Sequence, residues 1–235
     1  AGRAVVAVQA RGDRHRLRVA GQCRDGPVGE SRIHRRGGGF GGIAVARALR
    51  HAPVTVAVLD RENHHVFQPL LYQVATASLS PAAISQPIRT TLRDCKNCGV
   101  VLATVQSVDL ANRHVILEQG TAEYDYLVLA AGVRHHYFGN DAWEAMAPGL
   151  KSLSDATEIR RRMLLAFESA EHEGDAAARR AELTFAIVGA GPTGVELAAS
   201  IKAIASKTLP REYRNIDTAT ARVILFEGGP RVLAG

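Results

Sequence analysis

Cysteine is scarce, with three residues in 235. That is too few for a disulfide framework and suits a reducing compartment such as the cytoplasm. Long apolar runs are also missing. Nothing approaches the roughly 18–20 consecutive apolar residues of a membrane-spanning helix. The opening Ala1–Val8 is too short an apolar stretch for a signal peptide. Lysine is nearly absent, with four residues against 25 Arg. What remains, 46% hydrophobic and 22% charged, is globular composition and excludes collagen-like, coiled-coil and wholly disordered chains.

The net charge of +6 points to nucleic acid only until it is located. Residues 1–36 hold nine Arg against Asp13, Asp25 and Glu30, while the rest of the chain balances 20 basic with 20 acidic residues. This arm carries no aromatic residue and no nucleic-acid-binding module, so no nucleic-acid partner is expected. Beyond an apolar cluster at residues 4–8 it has neither helical nor strand period. It reads as a disordered tail, or as out-of-frame translation of a GC-rich gene. If the arm is genuine, Ser31–Arg36 should be the strand feeding the turn that follows. Burying its arginines in a central parallel strand costs several kcal/mol each, against a net stability of ~5–15 kcal/mol, so that strand should be badly made or absent.

From residue 37 the pattern changes. Gly37-Gly38-Gly39-Phe40-Gly41-Gly42 contains GxGxxG and runs into a helix, Ile43–Leu49, then into the apolar strand Val54–Leu59 closed by Asp60. The acid falls 18 residues after Gly42, near the ~20 of a dinucleotide fold. Gly37 allows the tight turn, Gly39 lets backbone approach a pyrophosphate, and Gly42 lets the helix pack on the sheet. The helix N-terminus offers N–H groups to phosphate, and Asp60 can accept from a ribose. The signature returns later. Strand Leu183–Val188, read as buried on both faces, enters Gly189-Ala190-Gly191-Pro192-Thr193-Gly194 and the helix from Val195; strand Arg222–Phe226 then ends at Glu227. Two fingerprints about 150 residues apart mean two dinucleotides.

Between them, residues 100–105 and 113–118 read as strands, and residues 124–132 as a buried strand ending in a small-residue turn. A helix capped by Ser154-Asp155 is expected to run to about Glu173, with Ile159, Met163, Leu164 and Phe167 at helical spacing. Cys95-Lys96-Asn97-Cys98 supplies only two metal ligands on a connector, so neither zinc nor redox chemistry is assigned to it. His64-His65 and His135-His136 read as loop residues, and no metal is expected.

The order of these parts resembles flavoproteins with two dinucleotide-binding domains. Within that group Asn63-His64-His65-Val66-Phe67-Gln68-Pro69-Leu70-Leu71-Tyr72-Gln73-Val74-Ala75-Thr76-Ala77 is similar to the type II NADH dehydrogenases. So are Tyr137-Phe138-Gly139 ahead of Trp143, and Gly191–Ala198. The resemblance implies an α/β fold with two Rossmann-like domains of glutathione-reductase type: FAD at 37–150, a connecting helix at 151–180, and NADH at 181–235. It implies FAD held by Gly37, Gly39, Phe40, Gly41 and Gly42, with Asp60 on the ribose, Val105 on the adenine side, Ala131-Gly132 beside FAD (Ala131 standing where the family has Thr) and Gln73 near the isoalloxazine. It places NADH on Gly189, Gly191, Pro192, Thr193 and Gly194, with Glu227 selecting NADH over NADPH and Glu196 as the catalytic residue where nicotinamide meets flavin. A plain second reading makes Glu196 a first-turn, dipole-stabilised glutamate.

The activity implied is hydride transfer from NADH to flavin, then two electrons to a membrane quinone without proton pumping. The location implied is peripheral, on the inner face of the cell membrane, with a homodimer left open. Family members continue beyond the point matching Gly235 with the rest of the NADH domain, a quinone site and a membrane-binding region, so a C-terminally truncated version is expected. A ferredoxin-reductase-like flavoprotein and an inactive nucleotide-binding remnant stand as alternatives.

Overall fold

A computed structural model describes residues 38–132 and 135–233, together with the backbone of residues 5–10. In chain order the elements are β1 (Val5–Ala10), α1 (Phe40–Ala48), β2 (Val54–Asp60), β3 (His64–Val66), α2 (Leu71–Ala75), β4 (Ser85–Pro87), α3 (Ile88–Thr91), β5 (Cys98–Leu102) and β6 (Val105–Asp109). There follow β7 (His114–Leu117), β8 (Gly120–Glu123), β9 (Tyr126–Leu129), α4 (Leu153–His172), α5 (Ala176–Glu182), β10 (Thr184–Val188), α6 (Pro192–Lys207) and β11 (Arg222–Phe226). They form two compact units, residues 1–66 with 85–135, and residues 67–84 with 136–235. Among the described residues no helix is long and apolar enough to cross a membrane.

The first unit is built on a sheet of order β5-β2-β1-β9. β2 and β5 are parallel, as a dinucleotide fold requires. β1 lies between β2 and β9 and runs antiparallel to both. Here the expectation for the arm is corrected. Val5–Ala10 is a strand rather than part of a patternless tail, and it lies beside β2. The physical reason is that a central strand must satisfy backbone groups on both sides and be apolar on both faces, which VVAVQA can do and SRIHRR cannot. The expected strand 31–36 and Gly37 lie outside the described residues.

Alternation along β2 separates two cores. Val56 and Val58 point into one with Ile43, Ala46, Ile88, Leu92 and Cys95, from α1, α3 and the turn after it. Ala57 and Leu59 point into the other with Val105, Val115, Leu117, Ala122 and Tyr124, from the meander β6-β7-β8 and the turn after it. The sheet is thus sandwiched between helices and a second small sheet. The run 100–105, read as one strand, divides at Ala103-Thr104 between β5 and β6, and the Ala103 N–H donates to the Asp60 carbonyl at 2.8 Å. β9 is a sheet edge rather than a buried strand, with Tyr126 65% exposed.

In the second unit α2 packs on α4 and α6. α4 buries Ala156, Met163, Phe167 and Ala170 along one face. Its cap is Ser152, not Ser154: the Ser152 hydroxyl accepts from the Asp155 N–H at 3.1 Å, while the Asp155 carboxylate accepts from the Ser152 N–H at 2.9 Å. Phe167 lies 5.4 Å from the Phe185 ring and 6.0 Å from Tyr213. β10 and β11 pair in parallel, Phe185 beside Val223 and Val188 beside Phe226. The expectation that β10 is buried on both faces is not met. α6 packs against the pair, while Val188 is 80% and Phe226 53% exposed.

Candidate functional site: two glycine turns and their acids

The first turn sits at the carboxyl end of β2. The Gly38 N–H donates to Asp60 Oδ2, and Asp60 Oδ1 accepts from the Glu62 N–H at 2.8 Å. Asp60 is 2% exposed. A Cβ at Gly38 would overlap the Ile88 side chain and stand 3.2 Å from Asp60 Oδ2. Gly38, passed over as an unspecified position of GxGxxG, is therefore a required glycine. Its carbonyl accepts from His65 Nδ1 at 2.8 Å, because a carbonyl can only accept. Gly39 is the N-cap of α1 with open space where a Cβ would stand. Phe40, 49% exposed, meets His65 edge-on at 5.0 Å between ring centroids. Gly42 is buried, and at Gly41 a Cβ would come 3.1 Å from Ala130 Cβ.

The second turn follows β10. Gly189 has φ +98°, a backbone that side-chain-bearing residues rarely adopt, and its N–H donates to the Phe226 carbonyl at 2.8 Å. The Ala190 N–H donates to Glu227 Oε2 at 2.7 Å, and Glu227 Oε1 accepts from the Gly229 N–H at 2.9 Å. The Ala190 N–H, and next that of Gly229, hold the Glu227 carboxyl below its usual range. The Ala190 carbonyl accepts from the Leu233 N–H at 2.8 Å. Gly191 is the N-cap of α6, Pro192 occupies its first position, Thr193 is exposed, and a Cβ at Gly194 would overlap the Gly189 carbonyl. Glu196 is exposed and fifth in α6, in the second turn of the helix, where the dipole has largely faded.

The two N-cap glycines share the same backbone geometry. Gly39 has φ −73° and ψ −179°, and Gly191 has φ −71° and ψ −179°. Each accepts the first helical hydrogen bond at 3.1 Å, from Ile43 and Val195. Neither helix has a side-chain cap or an acid in its first turn. Each helix start thus presents backbone N–H groups with no side-chain cap from its glycine and with the helix dipole behind them, the kind of donor set an anion takes. The donor set fits a pyrophosphate at each turn.

The other expected site residues are placed as follows. Val105 is fully buried in the core against the meander, leaving only its backbone to meet a ligand. Gln73 is half-buried on α2 and donates from Nε2 to the Tyr72 hydroxyl at 3.0 Å. Ala131 is buried and Gly132 follows at φ +68°. His64 and His65 are corrected from loop to strand β3. Cys95 is buried, its carbonyl accepts from the Cys98 N–H at 2.9 Å, and burial together with the Cys95 thiol pushes Cys98 up to about 11. Among the described residues no group of three or more His, Cys, Asp or Glu could hold a metal ion. Sequence reasoning missed His65, Ala190 and Leu233 as parts of the turns; the His pair was visible inside the Asn63–Ala77 motif.

Comparison with known proteins agrees with this geometry. The chain is 47% identical over 201 residues to the type II NADH:quinone oxidoreductase Ndh of Mycobacterium tuberculosis, covering 84% of this chain and 43% of that protein. It is 44% identical over 209 residues to NdhA of the same organism, covering 87% and 44%. The chain thus spans less than half the length of these relatives. Its fold matches that of NDH2 from Plasmodium falciparum, solved in complex with NADH, with a TM-score of 0.75 at 23% identity over 84% of this chain and 42% of that one. Residues 37–235, both glycine turns and everything between them, match the pyridine nucleotide-disulphide oxidoreductases, and the chain belongs to that family.

Proposed function

We propose that this chain is the two-nucleotide portion of a FAD-dependent NADH:quinone oxidoreductase of type II, which does not pump protons. The observation that carries the reading is the duplicated turn: two N-cap glycines of the same geometry, each followed by uncapped helical N–H groups and locked to a strand-end acid. Resemblance assigns FAD to the turn at Gly37–Gly42 and NADH to that at Gly189–Gly194, and 47% identity to a named type II enzyme supports the same assignment.

The protein's part is to bind and orient. Helix N–H groups after Gly39 and Gly191 take the two pyrophosphates. Glu227 accepts one backbone N–H at each oxygen, and a carboxylate has about four acceptor sites, so it can still accept from a ribose hydroxyl, the role that the resemblance also gives to Asp60. A carboxylate at Glu227 repels a 2′-phosphate and so favours NADH. Glu196 orients nicotinamide or holds a proton beside the flavin. Val105, Ala131 and Gly132 complete the flavin surroundings within the first unit, and resemblance assigns Gln73 to the isoalloxazine. The bound flavin supplies two-electron acceptance from NADH and donation to a quinone. Quinone as acceptor, peripheral attachment to the inner face of the membrane, and a homodimer belong to the same reading.

The test is spectroscopic. The purified chain incubated with FAD should be yellow, and NADH should bleach it. Quinone, and not ferredoxin, should restore the colour. Glu196→Gln should retain flavin and slow the bleaching. A colourless chain that takes up no FAD would reduce the proposal to a nucleotide-binding remnant, and bleaching at an unchanged rate in Glu196→Gln would remove the catalytic role.

A further inference from the structure

The peptide of the second turn residue is held from both sides in each unit. In the second unit, Glu227 takes the Ala190 N–H and the Leu233 N–H reaches the Ala190 carbonyl. In the first unit, Asp60 takes the Gly38 N–H, but the carbonyl is met by a side chain, His65 Nδ1 at 2.8 Å. The anchor follows the acid by five residues in one case and six in the other. The same clamp is thus built once from backbone and once from imidazole. We propose that His65 is a positioning residue for the first turn: its Nδ1–H fixes the Gly38–Gly39 peptide, and with it the helix N–H groups, in the orientation that binds a nucleotide diphosphate. This rests on the assignment of FAD to that turn.

The need for a clamp follows from the sequence. Gly38 and Gly39 are consecutive glycines, and glycine has the widest backbone freedom to lose. Nothing stands within 4 Å of a Cβ position at Gly39, so packing does not restrain it. Asp60 fixes the N–H side of Gly38. Rotation of the next peptide would carry the carbonyl away and turn the Gly39 and Phe40 N–H groups out of line. His65 is itself held, since its residue in β3 pairs with Gln86 in β4 and its ring meets Phe40 edge-on at 5.0 Å. An anchored donor on a strand can hold a loop; a solvated one could not.

His65→Asn and His65→Leu separate the hydrogen bond from everything else. The two side chains share a shape and both lose the contact with Phe40, but only Asn keeps an N–H on the branch where Nδ1 stood. His65→Gln moves its amide one bond too far and should behave as Leu does. Two readouts are taken on the full chain: the FAD dissociation constant of the deflavinated protein, and amide exchange across residues 38–42 without FAD. The expected result is about tenfold weaker FAD binding and faster exchange in Leu and Gln, with Asn within about threefold of wild type, the range of one hydrogen bond of ordinary net strength. If Asn, Gln and Leu behave alike in exchange and in affinity, the positioning role is wrong. If the wild type takes up no FAD, the flavin assignment falls, and with it the ligand part of the proposal. The exchange comparison then decides by itself whether His65 holds the turn.

Discussion

Glu227 accepts the backbone N–H of Ala190 at 2.7 Å across 37 residues of chain. Asp60 accepts that of Gly38 in the same manner, 22 positions along the chain. In both units, therefore, the acid that closes the second strand is a structural partner of the glycine turn before it is a partner of any ribose. Its second oxygen is also used, on the N–H two residues further on. An acid in this position links strand end, turn and the start of the following loop, and a ligand that meets it meets a group already fixed in direction.

Asp60→Asn should therefore cost stability as well as affinity. The residue is 2% exposed, and because both Asp60 oxygens accept backbone N–H groups, the NH2 of Asn must face the N–H of either Gly38 or Glu62. An unsatisfied buried donor costs about 1–3 kcal/mol, which in a chain of this size lowers the melting midpoint by roughly 5 °C. Calorimetry of the variant, paired with FAD titration, checks this. An unchanged midpoint would mean that Asp60 serves the ligand alone.

Glu227→Gln should act in two ways. Preference for NADH over NADPH should narrow, since the repulsion of a 2′-phosphate is gone; competition binding of the two nucleotides measures it. Stability should also lose part of its acid sensitivity. The folded carboxyl is held below its usual value by the Ala190 and Gly229 N–H groups. Its contribution is then present above the unfolded value near pH 4.5 and lost as pH falls through the folded one. Urea midpoints of wild type and variant should differ at pH 7 and converge toward pH 3. A constant gap would show that the charge on Glu227 is not what the turn uses. Glu227 is exposed, so the effect is small and shrinks in salt.

Much of this was legible in the chain because the signals were local. Gly-rich turn, helix and strand-end acid follow one another within about 25 residues in the first unit and about 40 in the second, and each has its own physical signature. The strand Val5–Ala10 beside β2 was not legible, because its pairing joins segments more than 40 residues apart and is set by apolar surface and backbone pairing in three dimensions. The division of residues 100–105 between two sheets was hidden for a related reason: Ala103 and Thr104 are as strand-like as their neighbours, and the break is set by the Asp60 carbonyl that Ala103 meets. Gly38 and His65 were in plain view but unassigned. GxGxxG leaves its second position free, and a histidine gives no sign of which carbonyl it will reach.

Gly194→Ala isolates the second turn. A Cβ there runs into the Gly189 carbonyl, and Gly189 at φ +98° already has a backbone open to glycine and few others. The Gly189 backbone is itself held by its N–H bond to the Phe226 carbonyl at 2.8 Å, so it resists yielding. The expected outcome is loss of NADH binding by at least tenfold with FAD uptake unchanged, read by nucleotide titration and the flavin spectrum. Retained NADH affinity would place the nicotinamide nucleotide elsewhere.

Cys98 should be slow to alkylate despite sitting in a CxxC. Burial is the larger cause and the neighbouring Cys95 the second, and together they raise the thiol from 9.0 to about 11. The Cys98 Sγ–H also points toward the carbonyl oxygens of Ala46 and of the Asn97 side chain, both at 3.6 Å. Only the thiolate attacks, so two pH units of displacement leave roughly one hundredth of the ordinary thiolate population. At pH 8, iodoacetamide should label Cys98 about a hundredfold more slowly in the native chain than in urea, as followed by peptide mass spectrometry. Labelling at the rate of an unfolded thiol would mean that the pair is accessible and ionised, reopening the redox chemistry that its burial now argues against.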